Sequence, residues 1–348
     1  MINDAGAELA VLIGRFQPFH NGHAALLKAA LDSAPQLVVV LGSSFRSRSA
    51  KNPFTWEERA AMIGSSLSDE ERERVEYLPV RDYYNDTRWA AEVLAGVQRL
   101  KPDAKKTALV AFFKDASSYY LNNFPEWEPL SVKVEAEIDA TRIRRIMFEA
   151  EDFEVSLGVI APLVPTAVRQ YLKAWSVLPY FSAMAQEHKA IEAYKESWHA
   201  APYPPIFSTV DAVVKTAGYV LLIRRNDFPG KGLWALPGGF VEQGERLLQA
   251  AMRELNEETQ LAVLMPTLAD ALADVAVFDH PNRSQRGRTI THAHFFDLKT
   301  EQLPAIEGAD DAALATWTRI DQLQSMEEQF FEDHFYILDH FLKLTGDA

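Results

Sequence analysis

Residues 238–261 read GGFVEQGERLLQAAMRELNEETQL. From Gly239 there are five residues to Glu245, seven more to Arg253-Glu254-Leu255, and one to Glu257-Glu258. The periodicity predicts a helix from about Arg246 to Thr259. On it Leu247, Leu248, Ala251 and Leu255 share an inward face, and Glu254, Glu257 and Glu258 lie three and four apart on another. Like charges so placed repel by roughly a few tenths of a kcal/mol per pair, so a cation among them accounts for the pattern. Oxygen ligands without thiols favour Mg²⁺, or Mn²⁺. A solvated acidic helix face is the competing reading of any Glu-Glu pair.

Over its full length the stretch resembles the Nudix box, Gly-x5-Glu-x7-Arg-Glu-aliphatic-x-Glu-Glu-x-Gly-aliphatic. It departs only at Gln260, where the family has a glycine that ends the helix in a left-handed turn. The resemblance implies Glu254, Glu257 and Glu258 as metal ligands, with Glu254 and Glu258 catalytic. Arg253 would orient a glutamate through a charge-assisted bond, and Glu245 would support the loop. Leu221–Arg225 and Trp234–Gly239 strengthen the likeness, and with Arg288 they place Arg224, Arg288 and Gly239 at the substrate. Gly287-Arg288, and the acidic loop of Glu307, Asp310 and Asp311 before Trp317, resemble ADP-ribose pyrophosphatases, whose products are AMP and ribose 5-phosphate. A carboxylate of that loop is the candidate general base. Some Nudix-like domains bind such ligands only as sensors, and a Nudix domain that senses an NAD-related ligand, or cleaves a different nucleoside diphosphate derivative, is the alternative reading.

The chain has 348 residues, enough for two domains. It contains no cysteine, which excludes disulfide scaffolds, thiolate nucleophiles and zinc-thiolate sites and suits a reducing compartment. The net charge of −14 argues against a nucleic-acid or anionic-membrane surface. No basic leader or membrane-length apolar run is seen, so the expected location is the cytoplasm. A phosphate ligand then needs locally concentrated positive charge.

In the N-terminal half, strands are predicted at 9–13, 37–41, 75–79, 108–112 and 132–135. Helices are predicted from Gly22 to Asp32, from a Thr55–Glu58 capping box to about Leu67, and over 88–100, 141–150 and 165–175. Alternating strands and helices imply a doubly wound parallel sheet with ligands at its carboxyl edge. A polar helix over 182–198 and Ala201-Pro202-Tyr203-Pro204-Pro205 mark a boundary. The expected organisation is a nucleotidyltransferase domain (1–180), a helical, proline-rich linker (181–205) and a Nudix domain (206–348). The last has strands at 207–214, 219–224, 275–278 and 289–298, a turn at 215–218 and a C-terminal helix over 326–344. The fold class is α/β, a Rossmann-like parallel-sheet domain followed by an α+β Nudix fold.

The first strand runs into Gly14-Arg15-Phe16-Gln17-Pro18-Phe19-His20-Asn21-Gly22-His23, a glycine-containing loop and helix start of the kind that aims backbone N–H groups at phosphate. His20 and His23 could face one anion, and a zinc pair is discounted because no third ligand lies nearby. Gly-x-Phe-x-Pro followed by His-x-Gly-His resembles the nucleotidyltransferase superfamily. Asn52-Pro53-Phe54-Thr55 with Glu58 and Arg59 is similar to the archaeal-type NMN adenylyltransferases.

That likeness implies ATP contacts from Gly14, Arg15, Phe16, His20, His23, Thr141 and Arg144, with Arg15, His20, His23 and Arg144 catalytic. Asp82, Tyr84, Asn85 and Trp89 would receive NMN, an aromatic ring stacking on the pyridinium. Asp139-Ala140-Thr141-Arg142-Ile143-Arg144 stands where the family has Ser-Ser-Thr-x-Ile-Arg; Thr141 is expected to cap the helix, and Arg142 and Arg145 stay unassigned. The expected function is bifunctional. ATP and NMN give NAD and pyrophosphate with Mg²⁺, and a nucleoside diphosphate derivative such as ADP-ribose is hydrolysed. The partners are small nucleotides, with no nucleic acid and no membrane.

Overall fold

Near-continuous runs of Val, Leu and Ile, at residues 9–13 and 37–41, form the buried central strands of the first, parallel sheet. The computed structural model describes residues 6–111, 123–132, 138–310 and 312–346. The first sheet contains β1 (Leu9–Gly14), β2 (Gln36–Leu41), β3 (Val75–Pro79), β4 (Thr107–Ala111) and β5 (Glu128–Ser131). All pairs are parallel, in the order β3-β2-β1-β4-β5. The order reverses at β1, which opens a crevice at its carboxyl end.

On one face Leu12 and Val39 pack with α1 (Asn21–Ser33), α2 (Trp56–Gly64), α5 (Ala140–Glu149), α6 (Phe153–Ile160) and α7 (Thr166–Trp175). On the other, Val11 and Val38 meet Val93 and Val97 of α4 (Asp86–Leu100). Each such fully buried side chain contributes about 1.5–3 kcal/mol.

The Thr55 capping box is present: its Oγ1 accepts from Glu58 N–H at 3.3 Å, and Glu58 Oε2 accepts from Thr55 N–H at 2.9 Å. The helix stops at Gly64 rather than Leu67, because Ser65 and Ser66 turn back to the Met62 carbonyl. A separate short helix, α3 (Asp69–Glu73), then starts from its own Ser68 box. A fifth strand lies at Glu128–Ser131, just ahead of the one expected at 132–135. Its register ends with Ser131 opposite Ala111, the last residue of β4, and positions 112 and 133–135 lie outside the described residues. Helix α6 has no counterpart among the predicted elements, since FEVSLGVI has no polar stripe to betray a helical period.

The chain divides into units Met1–Gln186 and Glu187–Ala348, a division that falls within α8 (Pro179–Ser197). In the second unit β6 (Ile206–Thr216) and β7 (Tyr219–Arg225) form a hairpin. Ala217 and Gly218 both have positive φ, the turn that matches strand twist. Next come β8 (Trp234–Ala235), β9 (Gly238–Phe240), α9 (Leu247–Thr259), α10 (Met265–Asp270), β10 (Leu272–Phe278), β11 (Arg288–Asp297) and β12 (Ala312–Arg319).

The main path is β10-β11-β6-β7-β12, with β9 on β6 and β8 on β7. β11 runs parallel to β6, and the other pairs are antiparallel. Even-numbered residues of β6, Ala212 and Val214, face Leu255 of α9. Odd-numbered Val213 faces Ile337 and Leu338 of α11 (His334–Leu342).

The helix expected over 326–344 is really two pieces, a 3-10 stretch Ile320–Gln329 and α11. They separate where Phe330 and Phe331 bury and Phe331 N–H donates to Trp234 O at 2.8 Å. Strand β12 and helix α10 are likewise additions to the predicted elements.

Candidate active sites

The loop from β1 to α1 is held from three sides. Gln17 Nε2 donates to Phe54 O at 2.8 Å and its Oε1 accepts from Phe54 N–H at 3.0 Å. Arg144 Nη1 donates to Gln17 O at 2.7 Å. Arg59, fully buried on α2, donates to Arg15 O at 2.7 Å, Gly42 O at 2.6 Å and Ser44 Oγ at 3.1 Å. Burial lowers the Arg59 pKa to about 10. It is the fastener that ties the loops after β1 and β2 together, and the sequence marks it only as part of a helix start. A Cβ on Gly14 would meet the Phe16 ring at 2.7 Å, so that ring lies against the strand end only because residue 14 is glycine.

His20 caps α1: its Nδ1 accepts from His23 N–H at 3.3 Å. The two imidazoles stack with centroids 3.6 Å apart, and the Phe16 ring meets His23 edge-on at 4.8 Å. Burial, then the nearby His20 and Arg15, push the His23 pKa well below its ordinary value, so the ring is neutral at pH 7. Its Nδ1 is buried and has no hydrogen-bond partner among the described residues. A neutral imidazole with free hydrogen-bonding capacity stands at the crevice mouth.

Arg144 is half-buried toward this loop, whereas Arg142 and Arg145 are exposed. Burial, and then Arg15, lower the Arg144 pKa to about 10. The cap of α5 is Asp139, whose Oδ1 accepts from Thr141 N–H at 2.8 Å. Thr141 therefore does not cap the helix as expected. The aspartate ahead of it serves that purpose, and the Thr141 hydroxyl accepts from Arg144 Nη2 at 3.2 Å.

Arg46, which no sequence motif singles out, donates to Asp82 at 2.9 Å and to the Tyr84 hydroxyl at 2.8 Å. Burial opposes ionisation of Asp82, but Arg46, a hydrogen bond from Ser43 and the charge of Arg15 together outweigh it and hold the pKa below the usual carboxylate value. Asn85 spends its Oδ1 as the cap of α4, accepting from Arg88 N–H at 2.9 Å. Trp89 packs edge-on against Phe124 with centroids 5.9 Å apart.

In the second unit, Arg253 organises the acidic helix. It grips Glu245 with two bonds, of 3.0 and 2.7 Å, and donates to Glu254 at 3.0 Å, Glu257 at 2.8 Å and Phe240 O at 3.2 Å. Those bonds hold the Glu245 pKa below the ordinary carboxylate value. Glu258 is buried and its Oε2 accepts from Gly238 N–H at 2.9 Å. The three glutamates thus share neighbouring turns with different exposure, Glu257 outermost. Among the described residues they do not close into a three-ligand cluster.

The donor set is nevertheless hard oxygen throughout, which suits a divalent cation. A Cβ at residue 239 would stand 2.4 Å from Glu254 Oε1, so Gly239 makes room for that carboxylate. Despite lacking glycine, the helix ends in a left-handed residue, Gln260 (φ 43°), whose N–H donates to Asn256 O at 2.9 Å. The acidic loop is anchored on the same helix end: Glu307 N–H donates to Thr259 O at 2.8 Å and Ala309 N–H to Glu258 O at 3.1 Å. Asp311 lies outside the described residues.

Arg224 Nε donates to Gly232 O at 3.0 Å and Arg288 to Asp279 O, so both arginines expected at the substrate bond their own loops here. Behind β9 lies a buried polar network that the sequence does not reveal. Arg283 pairs with Asp333 through bonds of 2.9 Å each, and Thr291 donates to Asp211 at 2.6 Å. His334 Nδ1 accepts from Leu236 N–H at 2.9 Å, and burial lowers its pKa to about 3. These residues come from distant segments, and no local spacing connects them.

The family profile described as Cytidylyltransferase-like matches residues 11–145, and that described as NUDIX domain matches residues 205–341. A nicotinamide/nicotinic acid mononucleotide adenylyltransferase of Acinetobacter baylyi is 33% identical over 181 residues, covering 52% of this chain and 93% of its own. An ADP-ribose pyrophosphatase of Methanocaldococcus jannaschii is 33% identical over 125 residues, 36% of this chain and 70% of its own. The structure of a bifunctional NMN adenylyltransferase/ADP ribose pyrophosphatase from Francisella tularensis, complexed with AMP and a manganese ion, superposes with a TM-score of 0.87 at 32% identity. That match covers 98% of this chain and 100% of the Francisella chain.

Proposed function

The chain belongs to the family of bifunctional proteins that join an NMN adenylyltransferase to a Nudix ADP-ribose pyrophosphatase, and from that membership we propose that it catalyses both reactions. In the first unit the phosphate of NMN attacks the α-phosphorus of ATP, the bond to the β-phosphate breaks, and NAD and pyrophosphate leave. Attacking and leaving groups are both phosphates, so alignment and charge neutralisation carry the rate.

The β1–α1 loop, with Gly14, Phe16 and Thr141 alongside, receives ATP. Neutral His23 and the capping His20 hydrogen-bond its phosphates, and Arg15 and Arg144 offset charge in a protein whose background is acidic. Asp82 and Tyr84, fixed by Arg46, receive NMN with Asn85 and Trp89. Asn85 contributes from the rim, because its side-chain oxygen is engaged as a cap.

In the second unit water attacks a phosphorus of ADP-ribose, giving AMP and ribose 5-phosphate. A divalent cation, Mg²⁺ or Mn²⁺, held by Glu254, Glu257 and Glu258 supplies Lewis-acid chemistry when bound. Arg253 keeps the outer two carboxylates oriented, Glu258 ties the ligand helix to Gly238, and the loop bearing Glu307 and Asp310 brings the general base. In this reading both reactions are cytoplasmic.

The observation that carries this reading is the fold shared along the whole chain with a protein of both activities. Incubating the purified chain with Mg²⁺ and either NMN plus ATP or ADP-ribose, and identifying the products, tests it. NAD with pyrophosphate, and AMP with ribose 5-phosphate, are expected. ADP-ribose that binds but stays intact would instead mean a ligand-sensing domain.

A further inference from the structure

Helix α8 lies mostly in the stretch that the sequence reads as linker, ahead of the NUDIX match at 205–341. Its C-terminal part nevertheless builds a wall within the second unit. The Tyr194 ring lies nearly parallel to Phe240, 14° between planes and 6.5 Å between centroids, and Trp198, just past the helix, meets Phe207 edge-on at 6.1 Å. Phe240 follows Gly239 directly, and its carbonyl takes a bond from Arg253, so this wall adjoins the acidic helix. Arg286 stands at the same place, its guanidinium 5.4 Å from the Phe240 ring centroid and 5.8 Å from that of Phe331. Its Nη2 forms a long ion pair with the Glu332 carboxylate at 3.9 Å, beyond hydrogen-bond distance, and this leaves Nε uncommitted.

Two donors of this cluster are buried and unused. Arg286 Nε and Trp198 Nε1 have no hydrogen-bond partner among the described residues, and an unmet buried donor costs about 1–3 kcal/mol. Residue 287 is glycine with φ 158°, and a Cβ there would press on Phe207 at 3.0 Å and touch Trp198 at an ordinary 3.5 Å. The loop that carries Arg286 can approach the wall because of it. A cation between aromatic faces, one of them on the residue whose carbonyl takes a bond from Arg253, fits a phosphate group. Flat rings with a free N–H fit a nucleobase or ribose.

We propose that Tyr194, Trp198 and Arg286 form the nucleotide-binding wall of the hydrolase site, with Arg286 rather than Arg224 or Arg288 as its chief diphosphate contact. The segment before the NUDIX match is then part of the binding site. This rests on the hydrolase reading above only for the choice of ADP-ribose as probe.

The test is calorimetric titration of the full chain with ADP-ribose in EDTA, where binding is read without turnover, on wild type and on Arg286→Ala, Arg286→Lys and Trp198→Phe. Loss of the charge-assisted contact should weaken affinity about ten- to a hundredfold in Arg286→Ala, with partial recovery in Arg286→Lys. Trp198→Phe keeps the ring and loses the donor, for a weakening of about two- to tenfold. A thermal unfolding curve matching wild type checks that the second unit of each variant is folded. Unchanged affinity in all three variants, or a wild type that does not bind ADP-ribose, overturns the proposal. A wild type that binds and shows these losses but leaves ADP-ribose intact once Mg²⁺ is supplied supports it and refutes the hydrolase reading instead.

Discussion

Gly239→Ala is predicted to silence hydrolysis while leaving the fold intact. An added Cβ would lie 2.4 Å from Glu254 Oε1, 2.6 Å from its Cδ and 2.8 Å from Oε2, where ordinary contacts begin at 3.4 Å. The carboxylate must therefore retreat by about 1 Å, and it can, because it is the far end of a flexible side chain. Stability should change by less than about 1 kcal/mol. A misplacement of about 1 Å in the reacting assembly costs on the order of 10²-fold in rate, about 2.7 kcal/mol of barrier. The assay is kcat for AMP release from ADP-ribose at saturating Mg²⁺, with NAD synthesis by the same preparation as control. A kcat within about twofold of wild type would refute the reasoning. So would an equal loss of both activities.

At the neighbouring glycine the same substitution has a different target. In Gly238→Ala the Cβ would meet the Val210 carbonyl oxygen at 2.2 Å, rigid backbone that β9 needs for pairing. Urea unfolding should show a loss of about 1–3 kcal/mol, the range for forced overpacking. His334, with its pKa lowered to about 3 by burial, contributes stability that is full above its unfolded value near 6.5 and is lost as pH falls toward 3. Between pH 7 and pH 5 that contribution falls by about 2 kcal/mol. In His334→Gln, which keeps an acceptor for Leu236 N–H, this part of the pH slope should vanish from unfolding curves. Asp211, 3.9 Å from His334 Nε2 and with its pKa raised by burial, contributes in the opposite sense. Arg59→Lys cannot reach every acceptor that Arg59 holds, so NAD synthesis and the first unit's stability should fall, by about 2–4 kcal/mol for the latter. ADP-ribose hydrolysis by that variant should persist.

Short-range patterns make both sites legible in the amino-acid sequence. The strand–loop–helix around His20 and His23 and the spacing of Glu254, Glu257 and Glu258 are of this kind, and capping by Thr55 is written in four consecutive residues. What escapes such reading is decided at long range. Arg46 looks like an ordinary surface arginine in sequence and Arg59 shows only as part of a helix-start motif, yet each gains its meaning from acceptors delivered by other segments. The predicted C-terminal helix is too long because buried Phe330 and Phe331 fit a helical period as well as they fit the break that the β8 contact imposes. Gln260 shows the reverse case. The family pattern has glycine at this position, but the left-handed turn forms with glutamine because tertiary contacts at the helix end hold it.

The central claim is two independent active sites on one chain, and a double dissociation tests it most directly. Glu258→Gln and His23→Ala are each assayed for NAD formation from NMN and ATP and for AMP release from ADP-ribose, all with Mg²⁺. Glu258→Gln should lose hydrolysis and keep adenylyl transfer, and His23→Ala should do the reverse. Hydrolysis unchanged in Glu258→Gln, or NAD synthesis unchanged in His23→Ala, would contradict the account.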